Sequence, residues 1–361
     1  ADAAQARKEI EQGKLLVDSG RSLIEAGLQK TRSLAEEYVL RVKALMTDYA
    51  EPRRFELACH AYEQGIELVR ANLSEEELAK SLFEYGCFLQ ANKRYDLAEV
   101  RYRENLDIYQ RLAAISPQVY EPDLAMVQNN LGTLYEDTRR YGESEEMFLS
   151  VMEIRRRLVA ANPQVYEPDL AGIQNNLGIL YKDTQRYEDS EKMYLSAMEI
   201  RRRLAVANPQ VYEPDLADTQ YNLGCLYYNI QRYEESEEMY LSALEVYQRL
   251  TAVNPQVYEP YLVRACNNLS FLFLAQGNFE EAERYAREGA KYDSTHHTIY
   301  TNLAASLLLQ GRYAEAEEIY LRYKEELKED FLSDFEDFYQ RGIIPPERED
   351  DVERIKKLLS K

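Results

Sequence analysis

Tryptophan is absent from this 361-residue sequence, and histidine nearly so, with three residues. His60 stands alone. His296 and His297 are adjacent and would point apart on a helix, so with no third ligand in range no metal site is expected. The four cysteines, Cys59, Cys87, Cys225 and Cys266, lie far apart and form no C-x-x-C pair. They are expected to be reduced packing residues, which fits a reducing compartment such as the cytoplasm. No apolar run approaches membrane-spanning length, and no signal-peptide core is present. The first residues are Ala-Asp rather than Met, so the sequence is taken as a processed form or a piece of a longer protein. Also missing are a Gly-rich phosphate loop, H-E-x-x-H, an EF-hand loop and a nucleophile elbow. Neither catalysis nor a cofactor is expected.

Glycine (14) and proline (11) are scarce, so most of the chain should be regular, with few turns. Against these shortages stand 30 tyrosines and a formal charge of −20. A field of that sign opposes nucleic acid and anionic membranes and favours solubility or basic partners. The arginine triplets Arg155–Arg157 and Arg201–Arg203, amid many Glu residues, are expected to be a solvated outer face rather than a phosphate-binding stripe.

The tyrosine count has a source. PQVYEP starts at Pro117, Pro163, Pro209 and Pro255, each 46 residues after the last, and Pro122–Glu167 agrees with Pro168–Glu213 at 34 of 46 positions. Self-similarity at a fixed period marks a repeat architecture. Each unit reads as two helices. In Pro168–Glu213 the first carries an apolar stripe of Ile173, Leu177, Leu180 and Tyr181. The second carries Tyr187, Ser190, Tyr194, Ala197, Ile200 and Leu204 over about 19 residues, and should stop near Ala207 before Asn208-Pro209. Pro168 is placed in the first turn of its helix, leaving NPQVYEP as connector. One hairpin cannot bury its own faces, so the hairpins must stack.

The residues Leu177-Gly178, Tyr181, Tyr187, Ser190, Tyr194 and Ala197 resemble the tetratricopeptide repeat, with Ser144, Ser190 and Ser236 in place of the usual first Ala. The 46-residue period, against the ordinary 34, makes the chain similar to the kinesin-light-chain type of array and its bacterial relatives. The resemblance extends upstream through Gly86, Tyr95, Ala98 and Tyr102 and, more weakly, Phe55, Ala58 and Tyr62. Downstream it runs through Leu269, Gly277, Phe279, Ala282 and Ala286, then Leu303, Gly311, Tyr313, Ala316 and Tyr320. It implies an all-α, right-handed α-solenoid of stacked antiparallel hairpins. The expected organisation is a helical segment at 1–34, perhaps a degenerate hairpin, and an array over 35–324 divided as 35–74, 75–121, 122–167, 168–213, 214–259 and 260–324. Polar capping helices follow at 325–361, broken at Arg341–Glu347.

QNNLG occurs at Gln128–Gly132 and Gln174–Gly178, although Asn is a poor helix former. In the family the first helices line the concave surface. The resemblance implies that Asn130, Asn176, Asn222, Asn268 and Asn302 grip the main chain of an extended peptide there. A carboxamide offers two donors and an acceptor, which suits that role. It can equally bond a neighbouring helix and set the repeat spacing. Asn129, Asn175, Tyr221 and Asn267 precede the ladder residues, and Glu84 replaces Asn in the first matched unit.

Selectivity is expected from groove positions that vary between units: Met126/Gly172/Asp218/Arg264, Thr133/Ile179/Cys225/Phe271 and Glu136/Lys182/Tyr228/Leu274. Phe271, Leu274, Leu308 and Leu309 suggest an apolar pocket at the C-terminal end, while Lys80, Lys182 and Arg264 are too scattered for the family's carboxylate clamp. Tyr120, Tyr166, Tyr212 and Tyr258 are expected to pin the connector rather than bind ligand. The function implied is a scaffold or adaptor for a protein or peptide partner, monomeric or weakly self-associating. The alternative is a sensor region of a larger signalling protein.

Overall fold

The computed structural model describes the backbone of residues 2–47, 51–292 and 298–360, with side chains from Leu16 onward. His296 and His297 lie outside the described residues. The chain forms two compact units, Ala1–Ala161 and Asn162–Lys361. The first holds α1 (Asp2–Thr47), α2 (Arg54–Asn72), α3 (Glu75–Ala91), α4 (Tyr95–Ile115), α5 (Pro117–Asp137) and α6 (Tyr141–Ala161). The second holds α7 (Pro163–Asp183), α8 (Tyr187–Ala207), α9 (Pro209–Asn229), α10 (Tyr233–Val253), α11 (Pro255–Ala275), α12 (Phe279–Tyr292), α13 (Thr298–Leu309) and α14 (Tyr313–Arg322). It ends with α15 (Lys324–Arg341), a short turn at Pro346–Arg348 and α16 (Glu349–Ser360). Within each unit consecutive helices pair and stack as α-solenoid hairpins.

The helices are longer than the sequence pattern suggests, and the expected connector is not a connector. PQVYEP forms the opening of α5, α7, α9 and α11, which start at Pro117, Pro163, Pro209 and Pro255. Pro163 takes the first helical position, where a missing N–H costs nothing. Pro168 then lies inside the helix, giving up one backbone bond. The link between α8 and α9 shrinks to Asn208 alone, at φ −146 and ψ 84, an extended conformation suited to a residue before proline. Its N–H donates to the Leu204 carbonyl, closing α8, and its carbonyl accepts from Val211 and Tyr212, opening α9. Two 21-residue helices, a three-residue turn and this single residue thus fill the 46-residue period.

Within each of these hairpins an ion pair ties the end of the second helix to the start of the first, across 36 residues: Arg157 to Glu121 at 2.7 Å, Arg203 to Glu167 at 3.3 Å and Arg249 to Glu213 at 3.0 Å. Each is exposed, so each contributes at most about 1 kcal/mol. The arginine triplets are therefore only partly a solvated face. Arg155 and Arg201 are buried, and Arg201 donates to the Asp215 carbonyl at 2.8 Å and to the Thr219 hydroxyl. Burial pulls the Arg201 pKa down.

Inside each hairpin the chain reverses through a left-handed residue: Lys93, Arg139, Gln185 and Gln231 at φ 57, 59, 61 and 62. Gly277 and Gly311 do the same work downstream. The Arg186 N–H returns to the Tyr181 carbonyl at 2.7 Å and Gln185 to Lys182 at 3.0 Å, the double closure of a Schellman turn. A side chain at positive φ costs about 1–2 kcal/mol, and the extra freedom of an unfolded glycine offsets about 0.4–1 kcal/mol of that. Gln185→Gly with Gln231→Gly is therefore expected to raise stability by about 0.5–2 kcal/mol in total, read as a higher urea midpoint with unchanged slope.

Where the two helices of a hairpin cross, a glycine faces an aromatic ring. A Cβ on Gly86, Gly132, Gly178 or Gly224 would lie 2.5, 2.4, 2.6 or 2.7 Å from the ring of Tyr102, Phe148, Tyr194 or Tyr240. Beside this contact Ser190 Oγ donates to the Gly178 carbonyl and Ser236 Oγ to the Gly224 carbonyl, at 2.7 and 2.8 Å. One hairpin reverses the arrangement. Ser270 stands at the glycine position, Ala286 replaces the ring, and Ser270 Oγ donates to the Ala282 carbonyl at 2.7 Å.

Residues 2–34 are not a hairpin. They belong to α1, which runs unbroken to Thr47 because its glycines weaken a helix without stopping it and no proline interrupts it. At the other end α15 closes on Gly342 at φ 66, and α15 and α16 bury Leu327, Phe331, Phe335, Phe338, Val352, Ile355 and Leu359. Cys266 is buried, its thiol pushed up to about 12 by desolvation, and all four cysteines are free. Among the described residues no helix is long and apolar enough to cross a membrane.

Candidate protein-binding face

The first helix of each hairpin carries the positions that vary most in chemistry. On α5 they include Asn129, Asn130 and Glu136; on α7, Asn175, Asn176 and Lys182; on α9, Tyr221, Asn222 and Tyr228; on α11, Arg264, Asn267, Asn268 and Phe271; on α13, Asn302. Most of these are half-buried, whereas Asn175 and Asn302 are buried and Arg264 is exposed.

The ladder amides reach sideways. Asn130 Nδ2 donates to Cys87 Sγ and to the Tyr102 hydroxyl, both at 3.4 Å. Asn222 Nδ2 donates to Asn175 Oδ1 at 3.3 Å. Asn268 Nδ2 donates to the hydroxyls of Tyr221 and Tyr240 at 2.8 and 3.3 Å, and Asn302 Nδ2 to the Asn267 carbonyl at 3.0 Å. Every one of these partners sits on the preceding hairpin. The weak helix former is thus retained at a place where it ties neighbouring hairpins together, which is the spacing role. The amide oxygens of Asn130, Asn222 and Asn268 accept no bond among the described residues.

The partners of two varying positions, Asp218 and Arg264, were not visible in the repeat pattern. Asp218 accepts from the Tyr247 hydroxyl at 2.6 Å and is raised by burial against the pull of Arg201 and Arg264. The Arg264 guanidinium lies 4.6 Å from the Tyr221 ring centre and 5.6 Å from that of Tyr261. Arg264 is exposed, has aromatic support and bonds no carboxylate among the described residues, which leaves it presented outward. The PQVYEP tyrosines are half-buried, and Tyr120 donates back to Glu76 at 3.2 Å, so it joins α5 to the hairpin before it.

The expected apolar pocket at the C-terminal end does not exist, because α15 fills it. Leu274, Leu308 and Leu309 are buried, and Phe271 lies 6.3 Å from Phe338 of α15. The signal was present as Leu327, Phe331, Phe335 and Phe338, a stripe at helical spacing within a segment taken as polar. Arg341 Nη1 donates to the Tyr228 hydroxyl at 2.6 Å.

Three tetratricopeptide-repeat family models match the sequence, over residues 124–163, 169–249 and 272–330. The first two matches fall on hairpins defined by glycine–aromatic crossings, and the third on hairpins that reverse through Gly277 and Gly311. It is a tetratricopeptide-repeat protein. Among solved structures, the apo form of RapI is 15% identical, with a TM-score of 0.58 over 94% of this chain and 97% of its own. Aspartyl phosphate phosphatase F from Bacillus subtilis is 16% identical, with a TM-score of 0.56 over 93% of this chain and 82% of its own. At these identities the likeness speaks for the tetratricopeptide-repeat fold alone. No curated protein matches the sequence significantly.

Proposed function

We propose that this tetratricopeptide-repeat chain is a non-enzymatic scaffold that holds a segment of a protein partner on the face of its first helices. One observation carries this reading. Between α7–α8 and α9–α10 the glycine–tyrosine crossing and its apolar neighbours stay fixed while Gly172 gives way to Asp218, and on α11, where the crossing itself changes to Ser270–Ala286, Arg264 stands at that same place. Asp218 is bonded to Tyr247 within the array, but Arg264 at the same place bonds no carboxylate among the described residues, and recognition of a particular partner gives a reason for that change of charge. The uncommitted amide oxygens of Asn222 and Asn268 add acceptors for a partner's main-chain N–H groups, and Arg264 adds a fixed cation.

The test is capture of partners from the native lysate by wild type and by the Asn176→Ala/Asn222→Ala pair. Reduced capture with an unchanged melting curve supports gripping by the amides. Lower melting with capture intact assigns these residues to hairpin spacing alone. Arg264→Glu, which leaves the Asn bonds in place, is expected to change which partners are captured. If the charge reversal leaves the captured set unaltered, the proposed face is wrong.

A further inference from the structure

Helix α15 meets the first helices of the second unit as a ligand would. Asp334 faces Thr301 of α13. Phe338 packs against Phe271 of α11 with ring centres 6.3 Å apart. Arg341 donates to Tyr228 of α9 at 2.6 Å and lies 5.4 Å from the centre of its ring. Residues 334, 338 and 341 are i, i+4 and i+7, one face of one helix, and they touch the first helices of three successive hairpins. An acid on a hydroxyl, a ring on a ring and a cation on a phenol form a complementary set in the manner of an amphipathic helix seated in a groove.

We propose that the face built by α9, α11 and α13 is a helix-binding groove and that α15 is its resident occupant, excluding partner helices of the same acid–aromatic–base pattern until its last turns are displaced. This rests on the first-helix face being the binding surface, and it narrows the partner there from an extended segment to an amphipathic helix. The two halves of α15 differ in how they are held. Phe331 and Phe335 lie 4.7 and 5.7 Å from Tyr320 of α14, anchoring the near half beside the last hairpin. Phe338 and Arg341 cover Phe271 and Tyr228, and the helix then ends at once on the left-handed Gly342. The segment beyond is fixed separately, with Arg354 over the Tyr313 ring at 4.0 Å and Lys324 donating to the Leu358 carbonyl at 3.2 Å. Peeling back the last turns would therefore uncover Tyr228 and Phe271 while the array end stays packed. A tethered occupant acts at an effective concentration of about a millimolar, enough to exclude a partner helix present at micromolar levels.

The test uses the full chain and a fluorescein-labelled synthetic peptide spanning residues 324–342. Phe338→Ala/Arg341→Ala in the full chain is expected to bind this peptide at least about tenfold more tightly than wild type does, because the tethered competitor is weakened. A peptide with Asp334, Phe338 and Arg341 all replaced by Ala is expected not to bind. Arg341→Ala alone removes only the Tyr228 contact and leaves the buried rings, so it serves if the double variant is unfolded, with a smaller gain in the same direction. Equal affinity for wild type and a folded variant, equal binding of both peptides, or no binding to either folded variant overturns the proposal. Because Arg264 lies outside the α15 contacts, lysate capture that responds to Arg264→Glu while the peptide fails leaves the scaffold reading intact.

Discussion

Gly178→Ala is expected to destabilise the protein by about 1–3 kcal/mol, although alanine is the better helix former by about 1 kcal/mol. The two effects oppose each other, and geometry decides between them. The new methyl would sit 2.6 Å from the Tyr194 ring, far inside van der Waals contact. Tyr194 is fully buried, so the ring has no empty space to enter and the helices must move apart. Tyr194→Ala alone should cost more, about 3–5 kcal/mol, from the cavity it leaves. The informative construction is the pair. Gly178→Ser with Tyr194→Ala reproduces the native Ser270–Ala286 arrangement, so the added serine should be neutral or favourable once the ring is gone. A double-mutant cycle read by urea denaturation would then give a coupling of the stabilising sign. If Gly178→Ala raises the midpoint, the close approach is not what fixes the glycine.

The hairpin architecture was legible because it is written several times. Leu177, Gly178, Tyr181 and Tyr194 recur at a fixed period, and periodic apolar positions state which faces must meet. The helix starts were placed late because Pro168 satisfies the first-turn rule for proline, while Pro163 five residues earlier is an equally good first position. The same local rule supports both, and only tertiary packing of the extra turn selects the longer helix. Arg201 was taken as solvated because charge is normally exposed; its burial depends on the Asp215 carbonyl and Thr219, which come from the next hairpin. Groove positions were found by asking where otherwise identical units differ. That test cannot detect α15, which occurs once and has no copy to compare. Its aromatic stripe was in plain view, but its destination on α9, α11 and α13 is a contact between distant parts of the chain.

That single-copy helix yields the clearest dependence on pH. Asp334 faces Thr301 on α13 and Tyr320 on α14, with Asp330 and Asp337 beside it on its own helix. Burial first, and those two acids second, push its carboxyl up to about 6, although the nearby Thr301 hydroxyl opposes them. An unfolded aspartate titrates near about 3.9. The fold therefore prefers the protonated form. Stability contributed by Asp334 is complete below about pH 4, is lost as the pH rises through about 6, and is replaced above that by the cost of a buried anion. Two pKa units correspond to about 2–3 kcal/mol. Asp334→Asn keeps the shape but cannot ionise. It is expected to stabilise the protein by about 2 kcal/mol at pH 8 and by nothing measurable at pH 4.5, where both side chains are neutral. The comparison must be between the two proteins at each pH, because carboxylates such as Glu77, held down at about 2 by Arg32 and Ser74, contribute the opposite slope to both. A gain of the same size at every pH would mean that the asparagine acts through packing or a new hydrogen bond. A loss at pH 8 would mean that the carboxylate is wanted ionised, paired with a cation that this arrangement of α15 does not contain.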